Sequence, residues 1–390
     1  MINLLLKDCR YCLVLISAVL LLVDGQQIPF GVLQVVDFSN KMIPHLLQGL
    51  SHDRDNVVYS PFGLSSAIAM AMEGVDSKMA ADIATTLRLE RPTVAKQILR
   101  LGFKALLEEF EAKQNEEDTA GSYNRAHLHS SVPLLPEYKA VLENFYKANL
   151  SHNVTENSSD LVLELRTDTG VMSHWKDFDK LAVYTYLTHQ PAAEFMTHTG
   201  QVVSTPMIPQ VGVFRAGYLP RLNSQAVELP LEGDTASLVL IMPDYRDGIS
   251  EVLVKMLKEK IADIAKSLPR TEAEVSLPQF AMVSTDLDVG KVLRKSGLKQ
   301  LFSTGKSKSK RGPVKSIKQN AYFATSFVSV NSVSATNTVL AKKLPAKKTK
   351  REAVLNKFAF NKPFLFFVFH QPSGLVLLAG LVKTPSQVPK

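Results

Sequence analysis

The chain contains 390 residues, 45% of them hydrophobic, and carries a formal charge of +8 at pH 7. This length and apolar content can supply one large domain or two ordinary ones, and the charge indicates either a solvated surface or contact with polyanions such as glycans. Beyond the N-terminal segment no run of about 18 apolar residues occurs, so no transmembrane helix and no membrane partner are expected.

The N-terminal segment has the pattern of a secretory signal. Two basic residues, Lys7 and Arg10, precede an apolar run over Leu13–Val23, and Gly25 is a small residue at a plausible cleavage point. We therefore predict a signal peptide at 1–25 and a secreted, extracellular protein. The alternative is a short hydrophobic anchor or a buried helix.

Cysteine chemistry is excluded from the predicted mature chain, because Cys9 and Cys12 both lie in the signal. The chain also lacks the GxSxG, HExxH and GxGxxG motifs, and Gly305-Lys-Ser307 lacks the leading glycine of a phosphate loop. His127 and His129 suit one face of a strand and are interpreted as a surface pair rather than a metal site. We expect no enzyme, no cofactor and no metal.

The order of predicted elements favours an α+β fold, because helices dominate the first half and strands the second. Helices are predicted by periodicity and breakers at Val32–Leu50 (interrupted near Pro44), Ser65–Glu73, Thr93–Glu111, Pro136–Leu150, Glu251–Leu268 and Leu287–Leu301. Strands are predicted at Asn56–Phe62, Ala226–Pro230, Ser237–Met242, Ala273–Phe280, Ala321–Asn331 and Leu375–Val382.

Three N-x-Ser/Thr sites follow one another at Asn149, Asn153 and Asn157. Behind a secretory signal, such a cluster is typical of an exposed loop that carries glycans.

A long basic segment separates two strand-like stretches near the C-terminus. Ser332–Leu340 is small and β-branched, Ala341–Arg351 is polar and basic, and Phe358–Phe369 is densely apolar. A long loop between two strands is usually functional or disordered. We interpret this one as a bait for proteases, since it is rich in lysine and arginine.

Several stretches resemble the motifs of the serpin family, in family order from about residue 30 to the end. They are Asn56–Pro61 with the Ala/Met-rich helix after it, Glu194–Met207, Glu228–Pro230 with Ser237–Pro243, Val275–Phe280, Leu287–Phe302 and Phe358–Val368. The resemblance implies a single domain at 26–390, with several helices packed on three mostly antiparallel β-sheets and an exposed reactive loop at about 332–357. It further implies a monomeric protease inhibitor, and we expect no nucleic-acid partner. The diverged, disulfide-free chain resembles insect serpins of seminal or body fluid.

Inhibitory serpins insert the cleaved loop into the central sheet, so the first half of the loop must fit a buried strand. By family spacing this hinge corresponds to the residues Ser332, Val333, Ser334, Ala335, Thr336 and Asn337. Ser334 replaces a glycine that gives the hinge its freedom, and an inward Asn337 or Pro345 disfavours insertion. Full insertion therefore looks impaired.

Two further departures concern the central sheet. The family's polar latch uses a serine and a histidine at positions predicted to be Gly63 and Ala324 here. The chain between Asn157 and Trp175 is also too short for the helix that usually crosses the front of that sheet.

The reactive bond is predicted within Lys347–Glu352, because counting from either end of the loop gives different positions. The candidates are Lys347, Lys348, Lys350, Arg351 and Glu352. Basic residues suit trypsin-like or dibasic-specific serine proteases, whose pocket holds a carboxylate. The alternative is a merely solvated basic loop.

A second basic group can bind a sulfated glycan, or it is a surface loop without a partner. Its members are Lys306, Lys308, Lys310, Arg311, Lys315 and Lys318. Two functions therefore remain open: a secreted serpin that inhibits such proteases, or a non-inhibitory carrier, signalling or storage serpin whose loop is a plain substrate.

Overall fold

The computed structural model describes residues 20–23, 26–51, 56–113, 121–130, 134–152, 163–173, 193–231, 233–278, 281–302, 314–325 and 355–385. Its helices are α1 (Phe30–Lys41), α2 (Ile43–Ser51), α3 (Pro61–Glu73), α4 (Ser77–Thr86), α5 (Ala95–Lys113), α6 (Pro136–Tyr146), α7 (Ile249–Lys255), α8 (Ile261–Ser267) and α9 (Gly290–Lys295). Short 3-10 turns lie at Pro92–Val94, Met256–Lys258 and Lys299–Phe302.

The strands of the first half are β1 (Leu20–Val23), β2 (Gln26–Pro29), β3 (Asn56–Tyr59), β4 (Gly121–Ser130), β5 (Asn149–His152), β6 (Leu163–Ser173), β7 (Ala193–Met196) and β8 (Val202–Thr205). Those of the second half are β9 (Met207–Leu219), β10 (Ser224–Pro230), β11 (Ala236–Pro243), β12 (Arg270–Pro278), β13 (Ala281–Asp288), β14 (Val314–Thr325), β15 (Asn356–Ala359), β16 (Phe364–His370) and β17 (Leu375–Val382).

Two large sheets organise the described residues. A five-stranded sheet has the order β13-β14-β6-β4-β5, and an eight-stranded sheet has the order β15-β12-β9-β10-β11-β16-β17-β3. Most neighbours are antiparallel; β14–β6, β4–β5 and β12–β15 are parallel. The long strand β9 pairs with β12 and with β10, so it joins two of the three predicted sheets into one. The α+β prediction is confirmed.

The apolar C-terminal strands form the centre of the core. Every residue of β11, β16 and β17 is buried. Phe366 of β16 stacks on Phe323 of β14 with ring centroids 4.9 Å apart, which ties the two large sheets together. Gly380 makes room for this ring, because a Cβ at that position would lie 2.2 Å from Cε1 of Phe366.

Helix α3 is buried along its whole length, as its small and apolar residues allow. Ser60 caps its N-terminus by accepting a hydrogen bond from the Gly63 amide at 2.9 Å, and Pro61 occupies the first turn, where its missing N–H has no cost. The sequence signal Ser-Pro before an Ala/Met-rich run therefore marks the start of this helix four residues before the predicted Ser65.

A buried ion pair connects three helices. The Glu73 side chain, at the end of α3, is 1% exposed, and it accepts hydrogen bonds from Arg100 Nε on α5 at 2.8 Å and from the Tyr146 hydroxyl on α6 at 3.0 Å. The hydrogen bond to Glu73 raises the pKa of Arg100. Burial, with the charge of Glu73, raises the pKa of Tyr146 well above its usual value.

Three predicted helix boundaries are wrong. Glu251–Leu268 is not one helix, because Glu259 adopts an extended conformation between the 3-10 turn and α8. Leu287–Leu301 is strand up to Asp288, and its α-helix covers only Gly290–Lys295. Helix α6 ends at Tyr146, since Lys147 takes a left-handed conformation (φ 51°).

Candidate functional site

The predicted reactive loop connects the two large sheets. Strand β14, the second strand of the five-stranded sheet, ends at Thr325, and β15 begins at Asn356 at the edge of the eight-stranded sheet. The hinge residues and the five reactive-bond candidates lie between them, outside the described residues. The described structure therefore defines both attachment points of the loop.

The central feature at the first attachment point is the pairing of β6 with β14, here called the seam. It is parallel and continuous from Leu165–Ile317 to Ser173–Thr325. On either side, β14 is antiparallel to β13 and β6 is antiparallel to β4. A strand placed within the seam and antiparallel to both of its strands would replace one parallel ladder by two antiparallel ones, which are slightly more stable per residue.

The back of the seam is held by one buried glutamine. Gln319 on β14 is 0% exposed, and its Oε1 accepts a hydrogen bond from the Ser60 amide at 2.7 Å. Its Nε2 donates to the Ser60 carbonyl and to Oγ1 of Thr167 on β6, both at 3.0 Å. Gln319 thus joins both strands of the seam to the start of α3.

Gly63 makes this arrangement sterically possible. A Cβ at Gly63 would lie 2.8 Å from Gln319 Nε2 and 2.9 Å from Thr169 Oγ1, closer than real Cβ atoms come to other atoms. The glycine and the glutamine are therefore complementary: the long side chain from the sheet fills the space that a side chain from the helix would need.

One of the two predicted latch positions is described at the seam: a Cβ at Gly63 would meet Gln319, Thr169 and Thr167. The described contact between β14 and the start of α3 is made by Gln319, and Ala324 is paired with Met172 near the end of the strand. The latch role of position 324 stays a prediction, since its side chain lies outside the described ones. Sequence reasoning missed Gln319. The available signal was the alternation Ile317, Gln319, Ala321, Phe323, which places the amide on the core face.

Polar and charged contacts cross the front of the seam. Asn320 Nδ2 donates to Asp168 Oδ1 at 2.8 Å, and Lys315 lies 3.6 Å from Glu164. Further contacts continue to β13, where Asn320 Oδ1 accepts from the Asp286 amide at 2.7 Å. Separation of β6 from β14 would break the first two contacts and the Gln319–Thr167 hydrogen bond.

The chain between β5 and β6 has a short distance to cover. His152, at the end of β5, is paired with Ser130, and Ser130 is paired with Leu163 at the start of β6. The two ends therefore lie at the same edge of the sheet, separated by the width of β4, about 10 Å across two strand spacings. Strand β6 then fills Leu163–Ser173, so this stretch does not contribute to a crossing helix.

Few of the other predicted site residues are described. Asn149 is exposed at the start of β5, while Asn153 and Asn157 lie outside the described residues. Of the basic group, Lys315 is 66% exposed beside Glu164 and Lys318 is partly buried on β14. The other four members, Lys306, Lys308, Lys310 and Arg311, also fall outside.

Within the described ranges, no group of three or more His, Cys, Asp or Glu side chains is placed to hold a metal ion. The helices of those ranges are also too short or too polar to cross a membrane.

Comparison with known proteins gives one consistent family. The sequence model of the family described as "Serpin (serine protease inhibitor)" matches residues 34–164 and 185–385. The leukocyte elastase inhibitor of Bos taurus is 25% identical over 367 residues, covering 85% of this chain and 93% of that protein. The serine protease inhibitor 42Dd of Drosophila melanogaster is 27% identical over 290 residues, covering 68% and 75%.

A solved structure shows the same fold. Native protease nexin-1 with heparin superposes with a TM-score of 0.69 at 20% identity, covering 91% of this chain and 100% of that one.

Proposed function

Because the chain belongs to the serpin family, whose members are mostly protease inhibitors rather than enzymes, we propose that it inhibits serine proteases of trypsin-like or dibasic specificity. The observation that carries this proposal is the parallel seam at the point where the loop begins. The chain that leaves β14 at Thr325 can turn back and run antiparallel to β14, which is the direction that a strand inserted in the seam requires.

The bait in this proposal is the basic end of the loop. Lys347, Lys348, Lys350 or Arg351 precedes the cleaved bond, and Glu352 is the last residue of the candidate segment. A lysine or arginine side chain pairs with the carboxylate of a trypsin-like pocket. After acylation, the hinge from Ser332 to Asn337 enters the seam and carries the protease with it.

A second candidate function is a non-inhibitory serpin, a carrier, signalling or storage protein, whose loop is cut as an ordinary substrate. It is favoured by the buried Gln319 contacts and the front contacts, which hold β6 and β14 together. The polar hinge residue Asn337 also favours this second function, because burying its amide without a partner on insertion would cost about 1–3 kcal/mol.

Incubation with trypsin separates the two functions. Inhibition predicts a covalent complex that survives denaturing electrophoresis, and the second function predicts only a clipped chain. Alanine replacement of Lys347, Lys348, Lys350 and Arg351 together should abolish the covalent complex, or, for a plain substrate, clipping within Lys347–Glu352; Lys342 and Lys343 still allow cleavage earlier in the loop. The matched control replaces Lys306, Lys308, Lys310 and Arg311, which removes the same charge elsewhere. Complex formation that persists in the first variant would contradict the assigned bond.

The same control variant tests a sulfated-glycan partner. The Lys306–Arg311 run, with Lys315 and Lys318, would bind a polyanion chiefly by releasing its counterions. We expect the control variant to elute from a heparin column at lower salt than the unchanged protein. Equal elution of the two proteins would argue against this surface.

Secretion is part of the proposal and has its own test. Cleavage after Gly25 would remove β1, which pairs with β2 in the full chain, and the exposed position of Asn149 is compatible with a glycan. Expression in a secretory cell should give a medium protein that begins at Gln26 and shifts in mass with an N-glycosidase. A chain that stays in the cell with its N-terminus intact would overturn this assignment.

A further inference from the structure

A cavity of about 340 Å³ lies on the front of the five-stranded sheet, at the end where β6 and β14 begin. Its described lining residues come from β5, β6 and β14, so the cavity spans the seam. The volume lies at the lower end of the range of small-molecule sites in proteins. We therefore asked which molecule the lining side chains could recognise.

Strand alternation brings polar side chains of both seam strands to this cavity. Ile317 is buried in the core between Ser316 and Lys318 on β14, so these two residues face the front. By the same alternation, Glu164 and Arg166 face the front of β6. All four line the cavity, and the ladder pairs Glu164 with Ser316 and Arg166 with Lys318.

One buried polar group of the cavity has no partner. Ser316 is 8% exposed, and its Oγ is buried without a hydrogen-bond partner in the described structure. A buried hydroxyl in this state has lost its hydrogen bonds to water without replacement, which costs free energy. A ligand in the cavity that accepts a hydrogen bond from Ser316 would recover that free energy.

The cavity carries charges of both signs. Lys318 and Arg166 supply two cations, while carboxylates are supplied by Glu164 and Asp168. Arg166 already pairs with Asp286 at 2.5 Å, whereas Lys318 forms no ion pair with a described side chain. A ligand with a single charge would be attracted by one pair of side chains and repelled by the other. A ligand with both charges matches the whole cavity.

We propose that this cavity binds a small zwitterion of the amino-acid class. The carboxylate of the ligand accepts hydrogen bonds from Lys318 and Ser316 on β14, and its ammonium group donates to Glu164 on β6. Hydrogen bonds with ionised partners are stronger than those between neutral groups. The two ends of the ligand bind opposite strands of the seam, so the ligand connects β6 to β14.

The binding test compares three molecules with the same carbon chain. 5-Aminopentanoate carries both charges, pentanoate carries only the carboxylate, and pentylamine carries only the ammonium group. Calorimetric titration of the full chain at low ionic strength should show one site for 5-aminopentanoate. Its affinity should exceed that of either analogue about tenfold or more, the factor expected for one additional charge-assisted hydrogen bond. An affinity no greater than that of either analogue would overturn the proposal.

Charge variants locate the two ends of the ligand. Lys318→Gln should weaken 5-aminopentanoate binding about tenfold and remove its advantage over pentylamine, and Glu164→Gln should remove its advantage over pentanoate. The matched controls are Lys258→Gln and Glu272→Gln, which remove the same charges from exposed residues outside the cavity. If cavity variants and controls change the affinity alike, the ligand responds only to net charge and the site is overturned.

Ser316→Ala separates binding from folding. It should weaken 5-aminopentanoate binding about fivefold, the loss of one hydrogen bond. It should leave the melting temperature unchanged or raise it, because the hydroxyl has no partner in the free protein. Unchanged affinity in this variant would contradict the role of Ser316 in the site.

The connection between the strands has its own measurement. With 5-aminopentanoate at saturation, backbone hydrogen exchange in β6 and β14 should slow at least about threefold, while exchange in β10 and β11 serves as the internal control. Pentanoate at the same occupancy should slow β14 more than β6, since it lacks the group that binds Glu164. Unchanged exchange in both seam strands would show that the ligand does not join them.

Discussion

At the scale of single residues, the seam depends on a steric fit between one residue of the sheet and one residue of the helix behind it. Gln319 occupies the space that Gly63 leaves free, and it satisfies the backbone of Ser60 from two sides. The role of each residue depends on the other. A glycine at the start of a buried helix leaves a space without side-chain contacts, and here the side chain of Gln319 fills that space.

Gln319→Ala should lower the free energy of unfolding by about 2–3 kcal/mol, because it leaves the buried Ser60 amide without its acceptor and opens a small cavity. Urea denaturation measures the change. Lys318→Ala, the neighbouring residue and only partly buried, serves as the control and should change stability by less than about 0.5 kcal/mol.

Gly63→Ser extends this prediction. It should be destabilising in the unchanged protein, where the new Cβ would lie 2.8 Å from Gln319 Nε2, and less so in the Gln319→Ala background. Strictly additive effects of the two changes would contradict the proposed complementarity.

Tyr146 predicts an alkaline loss of stability. Its pKa is raised by burial and by Glu73, so above about pH 10 the unfolded chain loses a proton that the folded chain keeps. Stability from this group is complete below the unfolded pKa and falls as pH rises toward the folded pKa. Tyr146→Phe should flatten the decrease in unfolding free energy above pH 10, whereas Tyr245→Phe, at a position 72% exposed, should not.

At the scale of elements, the Glu73–Arg100 pair links α3 to α5 deep in the protein. Removal of Arg100, which is 29% exposed, would leave the Glu73 carboxylate, 1% exposed, buried without its counter-ion. Variants of this pair therefore measure how much the contact between α3 and α5 contributes to the free energy of unfolding.

Arg100→Met should cost about 3–5 kcal/mol of unfolding free energy, because the buried Glu73 carboxylate then lacks its counter-ion. The double variant Glu73→Leu/Arg100→Met should recover most of that loss, as measured by urea denaturation. Lys104→Met is the control on the same helix: its contact with Glu108 is 3.8 Å long and exposed, worth less than about 0.5 kcal/mol. A double variant as unstable as the single one would contradict this account.

The elements also show how far the sequence can be interpreted. The apolar runs of β11, β16 and β17 were predicted because buried central strands are continuously hydrophobic. Strand β6 was not predicted, since Thr167 and Thr169 occupy its core face where apolar residues are expected. The division of Glu251–Leu268 was missed because periodicity does not reveal an extended Glu259.

The candidate site was predictable only in part. Gly63 could be found from its position after Ser60-Pro61, because that motif also caps α3. The alternation along β14 places the Gln319 amide on the core face, but its partners could not be predicted, since Ser60 and Thr167 are far from it along the chain and meet it only in the folded sheet. The reactive loop, its hinge and its cleaved bond stay predictions.

At the scale of the whole molecule, the two functions differ in how cleavage of the loop changes the stability of the five-stranded sheet. If the loop enters the seam, the cleaved protein gains two antiparallel ladders at the cost of one parallel ladder. If it does not, cleavage adds nothing to the sheet.

Cleavage with trypsin should therefore raise the melting temperature by about 10 °C or more if insertion occurs, a change of several kcal/mol for a domain of this size. Differential scanning calorimetry before and after cleavage measures it, and a cut confined to the Lys347–Glu352 segment is checked by mass spectrometry. An unchanged melting temperature would favour the substrate-like function over inhibition.

The charged contacts on the front of the five-stranded sheet have one more consequence. Their side chains are well exposed: 44% for Arg166, which lies 2.5 Å from Asp286, and 66% for Lys315. Dissolved ions weaken such pairs, since electrostatic interactions extend about 8 Å in physiological saline but only about 3 Å in molar salt. The salt concentration of the surrounding fluid thus acts on the contacts that hold β13, β14 and β6 together, and a saltier medium should weaken those contacts.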